Sequence, residues 1–244
     1  MIENAKSSVL SELRKKLRSL ELGTMHESTS VRLGVDEIDN TLPWSGLPRA
    51  GIHEIIGERG SALGFLVFLL TKFTRDHAPV MWCFQQTNLY APGLHMFGLE
   101  PNRIITIRTK KQNHTLWVLE EALRANCLGA VCGEVQAVNS VVSKRLQLAA
   151  RAGQTPCLLF FNNKNSPAIA STTRWRISPI NTNEYDGIAG AGFLEEPLWK
   201  VELLRCLGTA GNHQWIVKWS HEKNCLSMAT LLANRSRTPK AAHK

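Results

Sequence analysis

Between residues 31 and 161, short apolar runs alternate with stretches of helical periodicity. The runs at 52–56, 80–84, 104–107, 130–135 and 156–161 are rich in Ile, Val, Leu and Phe, as strands buried on both faces require. Residues 63–74 read as a helix apolar on nearly every side, and 115–126 as an amphipathic helix with Glu120 and Arg124 four apart. Residues 90–97 read as a short helix stopped at Gly98, and 140–152 as a helix ended by Gly153. This order predicts an α/β fold with a mostly parallel central sheet covered by helices.

The texture changes after residue 161. Residues 173–180, 198–207, 214–219 and 225–230 read as strands with no helices between them. Trp199, Val201 and Leu203 alternate with Lys200 and Glu202; Trp215, Val217 and Trp219 alternate with Ile216 and Lys218. That pattern suits antiparallel strands extending the sheet at its C-terminal side. Residues 162–170 and 181–197 read as polar or Gly-rich loops, and 31–48 as a short helix or turn followed by a Gly/Pro loop. Near the start, Leu10, Leu13, Leu17 and Leu20 form one apolar stripe on a helix over 5–22. The stripe fits a core-docking helix and equally an arm that binds a partner. The expected organisation is an amphipathic helix over 1–23, a linker over 24–30, an α/β domain over 31–232 and a basic, disordered tail over 233–244.

Composition narrows the class. The 244 residues, 43% of them hydrophobic, suffice for one domain with a sizeable core and argue against general disorder. The net charge of +9 is concentrated at the ends: Lys6, Arg14, Lys15, Lys16 and Arg18 in the first twenty residues, and Arg235, Arg237, Lys240 and Lys244 in the last twelve. Basic ends suit nucleic acid or an acidic partner, and equally simple solubility. The six cysteines contain no C-x-x-C and read as buried thiols in a reducing compartment, so no zinc site is expected. The start is polar, and the most apolar stretch, 63–70, falls far short of the roughly 20 residues of a membrane span. A cytoplasmic chain without membrane contact is expected.

The candidate chemistry lies at 51–66, which has the frame of strand, glycine turn and apolar helix that opens a P-loop ATPase. A working loop reads G-x-x-x-x-G-K-[ST]: backbone N–H groups cradle phosphates, the Lys neutralises them and the hydroxyl holds Mg²⁺. Counting from Gly57, through Gly60, the second Gly is Ala62, the Lys is Leu63 and the hydroxyl residue is Gly64. The loop is degenerate; no nucleotide cofactor is expected, and 58–62 reads as a retained structural turn. His95, His114, His213 and His221 show no spacing that suggests a metal or a catalytic triad.

In its order of segments the chain resembles the RecA recombinase core over about residues 31–230. The resemblance is carried by Leu33-Gly34-Val35-Asp36-Glu37-Ile38-Asp39, by the run from Gly46 to Gly57, and by Leu89-Tyr90-Ala91-Pro92 through Gly98-Leu99. More closely it resembles the ImuA family, through Ser143-Lys144-Arg145-Leu146-Gln147-Leu148-Ala149-Ala150, Thr173-Arg174-Trp175-Arg176 and Trp199-Lys200-Val201-Glu202-Leu203-Leu204-Arg205-Cys206. Residues 80–135 also resemble SulA, a cell-division inhibitor.

The resemblance implies where an ATPase would keep its remaining machinery. The catalytic carboxylate position falls near Gln86, which can orient water but not take its proton. Glu134 reads as a displaced metal-holding acid or as a strand-end carboxylate facing solvent. The first DNA loop is nearly absent between Val135 and Ser140, and the second shrinks to residues 162–170. Lys164, with Arg174 and Arg176, is the candidate phosphate contact there. A strand with a buried Trp175 flanked by solvated Arg174 and Arg176 is the simpler reading of the same residues. With no catalytic residues and no cofactor, the implied role is that of an accessory protein in DNA-damage-induced mutagenesis. Its implied partners are an ImuB-type homologue of Y-family polymerases, an error-prone replicative-type polymerase and RecA. The alternatives are a SulA-like inhibitor of the division GTPase FtsZ and an ATP-dependent recombinase.

Overall fold

The computed structural model describes residues 30–74, 78–85, 89–162, 169–180, 196–209 and 211–229. The leucine stripe, Gln86, Lys164, Arg235 and Arg237 lie outside them. The described chain begins with a two-stranded antiparallel ribbon, β1 (Ser30–Val31) with β2 (Leu47–Pro48), enclosing a one-turn helix α1 (Asp36–Asp39). Then follow β3 (Ile52–Gly57), α2 (Arg59–Phe73), β4 (Val80–Phe84), α3 (Ala91–Met96), β5 (Ile104–Arg108), α4 (Gln112–Arg124), β6 (Ala130–Glu134), α5 (Ser140–Ala152), β7 (Cys157–Phe161) and β8 (Thr173–Pro179). The described part closes with β9 (Leu198–Cys206), β10 (His213–Ser220) and β11 (Cys225–Met228).

Nine strands form one sheet in the order β11-β10-β9-β8-β3-β7-β6-β4-β5. The six strands from β8 to β5 are parallel; β9, β10 and β11 extend them antiparallel. This is the expected α/β architecture with one correction. The pattern groups 173–180 with antiparallel strands; β8 does pair antiparallel with β9, but on its other side it runs parallel to β3, Glu54 opposite Arg174. Only eleven residues separate β7 from β8, too few for the usual helical crossover, so the customary sequence signature of a parallel connection is missing.

The core has two halves, one on each face. Against one face α2 packs with Leu33, Ile38, Trp44 and Leu47 of the entry segment and with Trp175, Trp199 and Trp219 of the late strands. Against the other lie α4 and α5, whose Leu119, Leu123, Leu146 and Ala149 cover β6 and β7. Their amphipathic periodicity has this cause: one stripe meets the sheet and the other meets water. Glu120 ties the two helices together by accepting from Arg124 at 2.7 Å and from Arg145. Strands β3, β4 and β7 are buried throughout, whereas β5, at the sheet edge, is largely exposed. The tryptophans divide: five of the seven are buried, Trp215 is half-buried, and Trp117 on α4 is 60% exposed.

Two buried polar groups organise the approach to the sheet. The Asp39 carboxylate, fully buried, accepts from the Leu33 N–H at 2.8 Å and the Gly34 N–H at 3.0 Å. It pins the turn in which Gly34 takes φ +91°, a conformation glycine supplies at little cost. His53 is buried in β3, stacked on Phe73 at 5.7 Å. Its Nε2–H donates to the Pro48 carbonyl at 2.9 Å, and its Nδ1 accepts from the Thr173 hydroxyl at 2.8 Å. Burial lowers its pKa to about 4.

Two outcomes are expected. Replacing Asp39 by Ala leaves two backbone N–H groups without their acceptor and lowers unfolding stability by about 2–3 kcal/mol, measured by urea titration. As pH falls from about 6.5 towards about 4, the unfolded chain binds a proton at residue 53 that the folded chain excludes, so stability declines through that window. Between about pH 7 and pH 5 the loss attributable to His53 is about 2 kcal/mol, and His53→Gln removes that part of the slope.

Candidate functional site

In an open parallel sheet, ligands sit beyond the carboxyl ends of the strands, and the turn from β3 to α2 lies there. That turn is a single residue. Gly57 ends β3, Glu58 is the helix N-cap, and α2 begins at Arg59. The Ala62 N–H already bonds to the Glu58 carbonyl at 2.9 Å, and the Ser61 hydroxyl donates to the same oxygen at 3.3 Å. The expected turn over 58–62 is therefore corrected: Arg59 to Ala62 are helix, and no loop encircles a phosphate. The sequence reading missed this because Gly60 and Ser61 look like turn residues; the apolar run behind them extends the helix forward over them.

The degenerate positions have separate structural reasons. Gly57 abuts β8 so closely that a Cβ there would lie 2.2 Å from the Ile177 carbonyl oxygen. Gly60 has open space around it. Ala62 is fully buried. Leu63 lines an apolar groove of about 200 Å³ with Trp82, Leu89, Tyr90 and Leu94, no place for an ammonium group. A Cβ on Gly64 would lie 2.8 Å from the Trp199 indole and 3.1 Å from the Phe97 ring. The residue at the hydroxyl position is thus a packing contact in the core.

At the crest itself, Arg59 reaches across to Glu134 at the end of β6, Nη2 to Oε1 at 3.1 Å and Nη1 to Oε2 at 3.3 Å. Their side chains are 43% and 16% exposed, so the pair is worth about 0–1 kcal/mol and matters more for what it occupies than for stability. Glu134 ends β6, as expected of a strand-end carboxylate, but it is engaged with the Arg59 guanidinium and does not face open solvent. The pair borders a polar cleft of about 330 Å³, with Gln85, Gln136 and Asn162 on its other sides. The short passage from β6 to α5 is held by Gln112, whose Oε1 accepts from the Gln136 N–H at 2.8 Å and whose Nε2 donates to the Ala137 carbonyl at 2.7 Å. Asn139 caps α5 by accepting from the Val142 N–H at 2.8 Å.

The proposed DNA-contacting arginines are placed differently from one another. Arg174 is only 7% exposed, and its Nη1 donates to the Glu54 carboxylate at 3.1 Å; the expectation of a solvated side chain is corrected. Glu54, fully buried, also accepts from the Ser171 hydroxyl. Burial raises its pKa, while Ser171, Arg174 and Arg205 pull it back. Arg176 is half-buried. Among the described residues no cluster of His, Cys, Asp or Glu could hold a metal, and no helix is long and apolar enough to cross a membrane.

An α/β sheet of this order, with its antiparallel extension, defines a RecA-like fold: the chain matches the crystal structure of the RadB recombinase with a TM-score of 0.58 at 11% identity, over 82% of this chain and all of that one. No protein-family model matches the chain. Curated relatives do. The chain is 32% identical over 213 residues to Protein ImuA of Caulobacter vibrioides, in strains NA1000 / CB15N and ATCC 19089 / CIP 103742 / CB 15, covering 78% of this chain and 83% of those proteins. The chain belongs to the ImuA family.

The packing of Gly64 is directly testable. Gly64→Ser forces an oxygen and a methylene against Trp199 and Phe97, and is expected to lower stability by about 1–3 kcal/mol, read as a shifted denaturant midpoint.

Proposed function

We propose that this chain is a non-catalytic RecA-like accessory protein of DNA-damage-induced mutagenesis and translesion DNA synthesis, acting in the cytoplasm through protein contacts. Its partners in this reading are an ImuB-type homologue of Y-family polymerases, an error-prone replicative-type polymerase and RecA. Membership of the ImuA family supports that setting. The observation that carries the non-catalytic part is the junction of β3 and α2. One residue replaces a phosphate-binding loop, and Arg59 and Glu134 take each other where nucleotide phosphates and Mg²⁺ would need them. Loss of such preorganised charge stabilisation costs several kcal/mol in a transition state. DNA contact in this reading is weak and falls to Lys164, Arg176, Arg235 and Arg237, since Arg174 serves Glu54.

Calorimetry of ATP with Mg²⁺ tests the first half: no binding in the micromolar range is expected, and micromolar affinity would overturn the reading in favour of an active recombinase. The Leu63→Lys, Gly64→Ser double variant is expected to gain no ATP turnover, because substitutions do not lengthen the junction. A pull-down tests the second half: recovery of the ImuB-type polymerase homologue is expected, whereas recovery of the division GTPase FtsZ with no polymerase would replace this role by a SulA-like one.

A further inference from the structure

A second cleft lies at the opposite end of the sheet from the crest, where the central parallel strands begin. It is lined by Gln147 and Arg151 of α5, by Ser171 and Thr172 ahead of β8, and by Arg205 near the end of β9. Its volume is about 130 Å³, room for one side chain and well below the usual size of a cofactor pocket.

The electrostatics of this cleft are one-sided. Arg151 is exposed and has no carboxylate partner among the described residues. Arg205, exposed, donates one N–H to the Ile169 carbonyl at 2.6 Å and shares its charge with the buried Glu54. The nearby acid is Glu54, which lies behind the cleft and is held by Ser171 and Arg174. Two polar atoms at the cleft, Gln147 Oε1 and Thr172 Oγ1, are buried and have no hydrogen-bond partner among the described residues. Buried polar atoms in that condition are costly, and a ligand that satisfies them gains accordingly.

The helix bordering the cleft continues the pattern outward. Val141 and Leu148 of α5 are 65% and 64% exposed. With the exposed Lys144 and Arg151 they fall on one stripe, at spacings of three and four. An apolar and basic stripe running into a cationic cleft is a surface with complementary chemistry.

We propose that this surface docks an acidic, leucine-bearing peptide segment of a partner protein. A Glu or Asp carboxylate of the segment enters the cleft between Arg151 and Arg205, where guanidinium forks match carboxylate geometry. The N–H and C=O groups of its backbone satisfy Gln147 and Thr172. Its apolar side chain covers Leu148 and Val141. Nucleic acid fits less well: a phosphate backbone leaves the apolar stripe uncovered. The inference rests on the binding role proposed above and identifies one surface that would serve it.

Fluorescence anisotropy on the full chain tests it, with a short fluorescein-labelled Glu/Leu peptide as probe and a labelled oligothymidylate beside it. Saturable, salt-sensitive peptide binding is expected. Arg151→Glu and Leu148→Ser, both at exposed positions, should each weaken it by about tenfold with the melting temperature unchanged, the loss of one charge-assisted contact or one apolar contact. Absence of saturable peptide binding overturns the proposal, as does an affinity in both variants equal to that of the unsubstituted chain. Oligothymidylate binding that Arg151→Glu abolishes, with the peptide unable to compete, overturns it in favour of a nucleic-acid surface. Because Arg151 is remote from the crest, ATP calorimetry is untouched by these variants, and the two readings fail separately.

Discussion

The contact between Gly64 of α2 and the Trp199 indole sets the register on which the rest of the site depends. A helix buried on nearly every side has few positions where a large aromatic ring can lie against its backbone. Shifting α2 by one residue would press Leu63 or Phe65 onto the ring, and interiors packed to crystal density do not yield that space. The edge-to-face contact of Phe65 with Trp199 and the stacking of Phe97 on the same indole close the arrangement. Once the register is set, Arg59 emerges at the crest opposite Glu134, and Leu63 turns into the apolar groove. The chemistry available at the crest is thus a consequence of packing about one and a half turns deeper.

A second constraint acts on strand pairing. Glu54 and Arg174 are register partners on β3 and β8 and also an ion pair with both side chains buried. A slip of one residue would set Glu54 opposite Trp175 and leave a buried charge without its partner, at a cost of about 3–5 kcal/mol. On the opposite face of the same strands, His53 and Thr173 make the neighbouring hydrogen bond. Polar pairs on both faces thus specify one alignment for two strands whose apolar residues alone would tolerate several.

The architecture was legible because its signals were periodic. Continuous apolar runs marked β3, β4, β6 and β7, and the alternation around Trp199 and Val201 marked β9. The helix over 140–152 was legible to the residue, with Gly153 marking its end; the structure adds Asn139 as its N-cap. What the sequence left hidden depended on contacts between distant residues. Glu54 and Arg174 look like ordinary strand charges until the sheet brings them together. Arg59 and Glu134 are separated by four elements, and Gly60 and Ser61 disguise a helix start as a turn. The degenerate loop was legible by its missing Lys and hydroxyl, but its replacement by helix was not, because helix forward growth is decided by the packing of Ala62, Phe65 and Leu66. The cationic cleft at Arg151 and Arg205 left no local signal, since its residues come from α5, β9 and the segment before β8.

The bridge between Arg59 and Glu134 also bears on descent. A lineage that had lost only the Lys of a phosphate loop could regain it by one codon change. Here the path back is longer: the junction must acquire residues, α2 must surrender its first turn, and Arg59 must release the acid it now holds. Each of these steps alone disturbs packing or strands a charge before any benefit accrues. A phosphate loop at this junction would therefore require several concerted changes in the packing around α2 and not a single substitution.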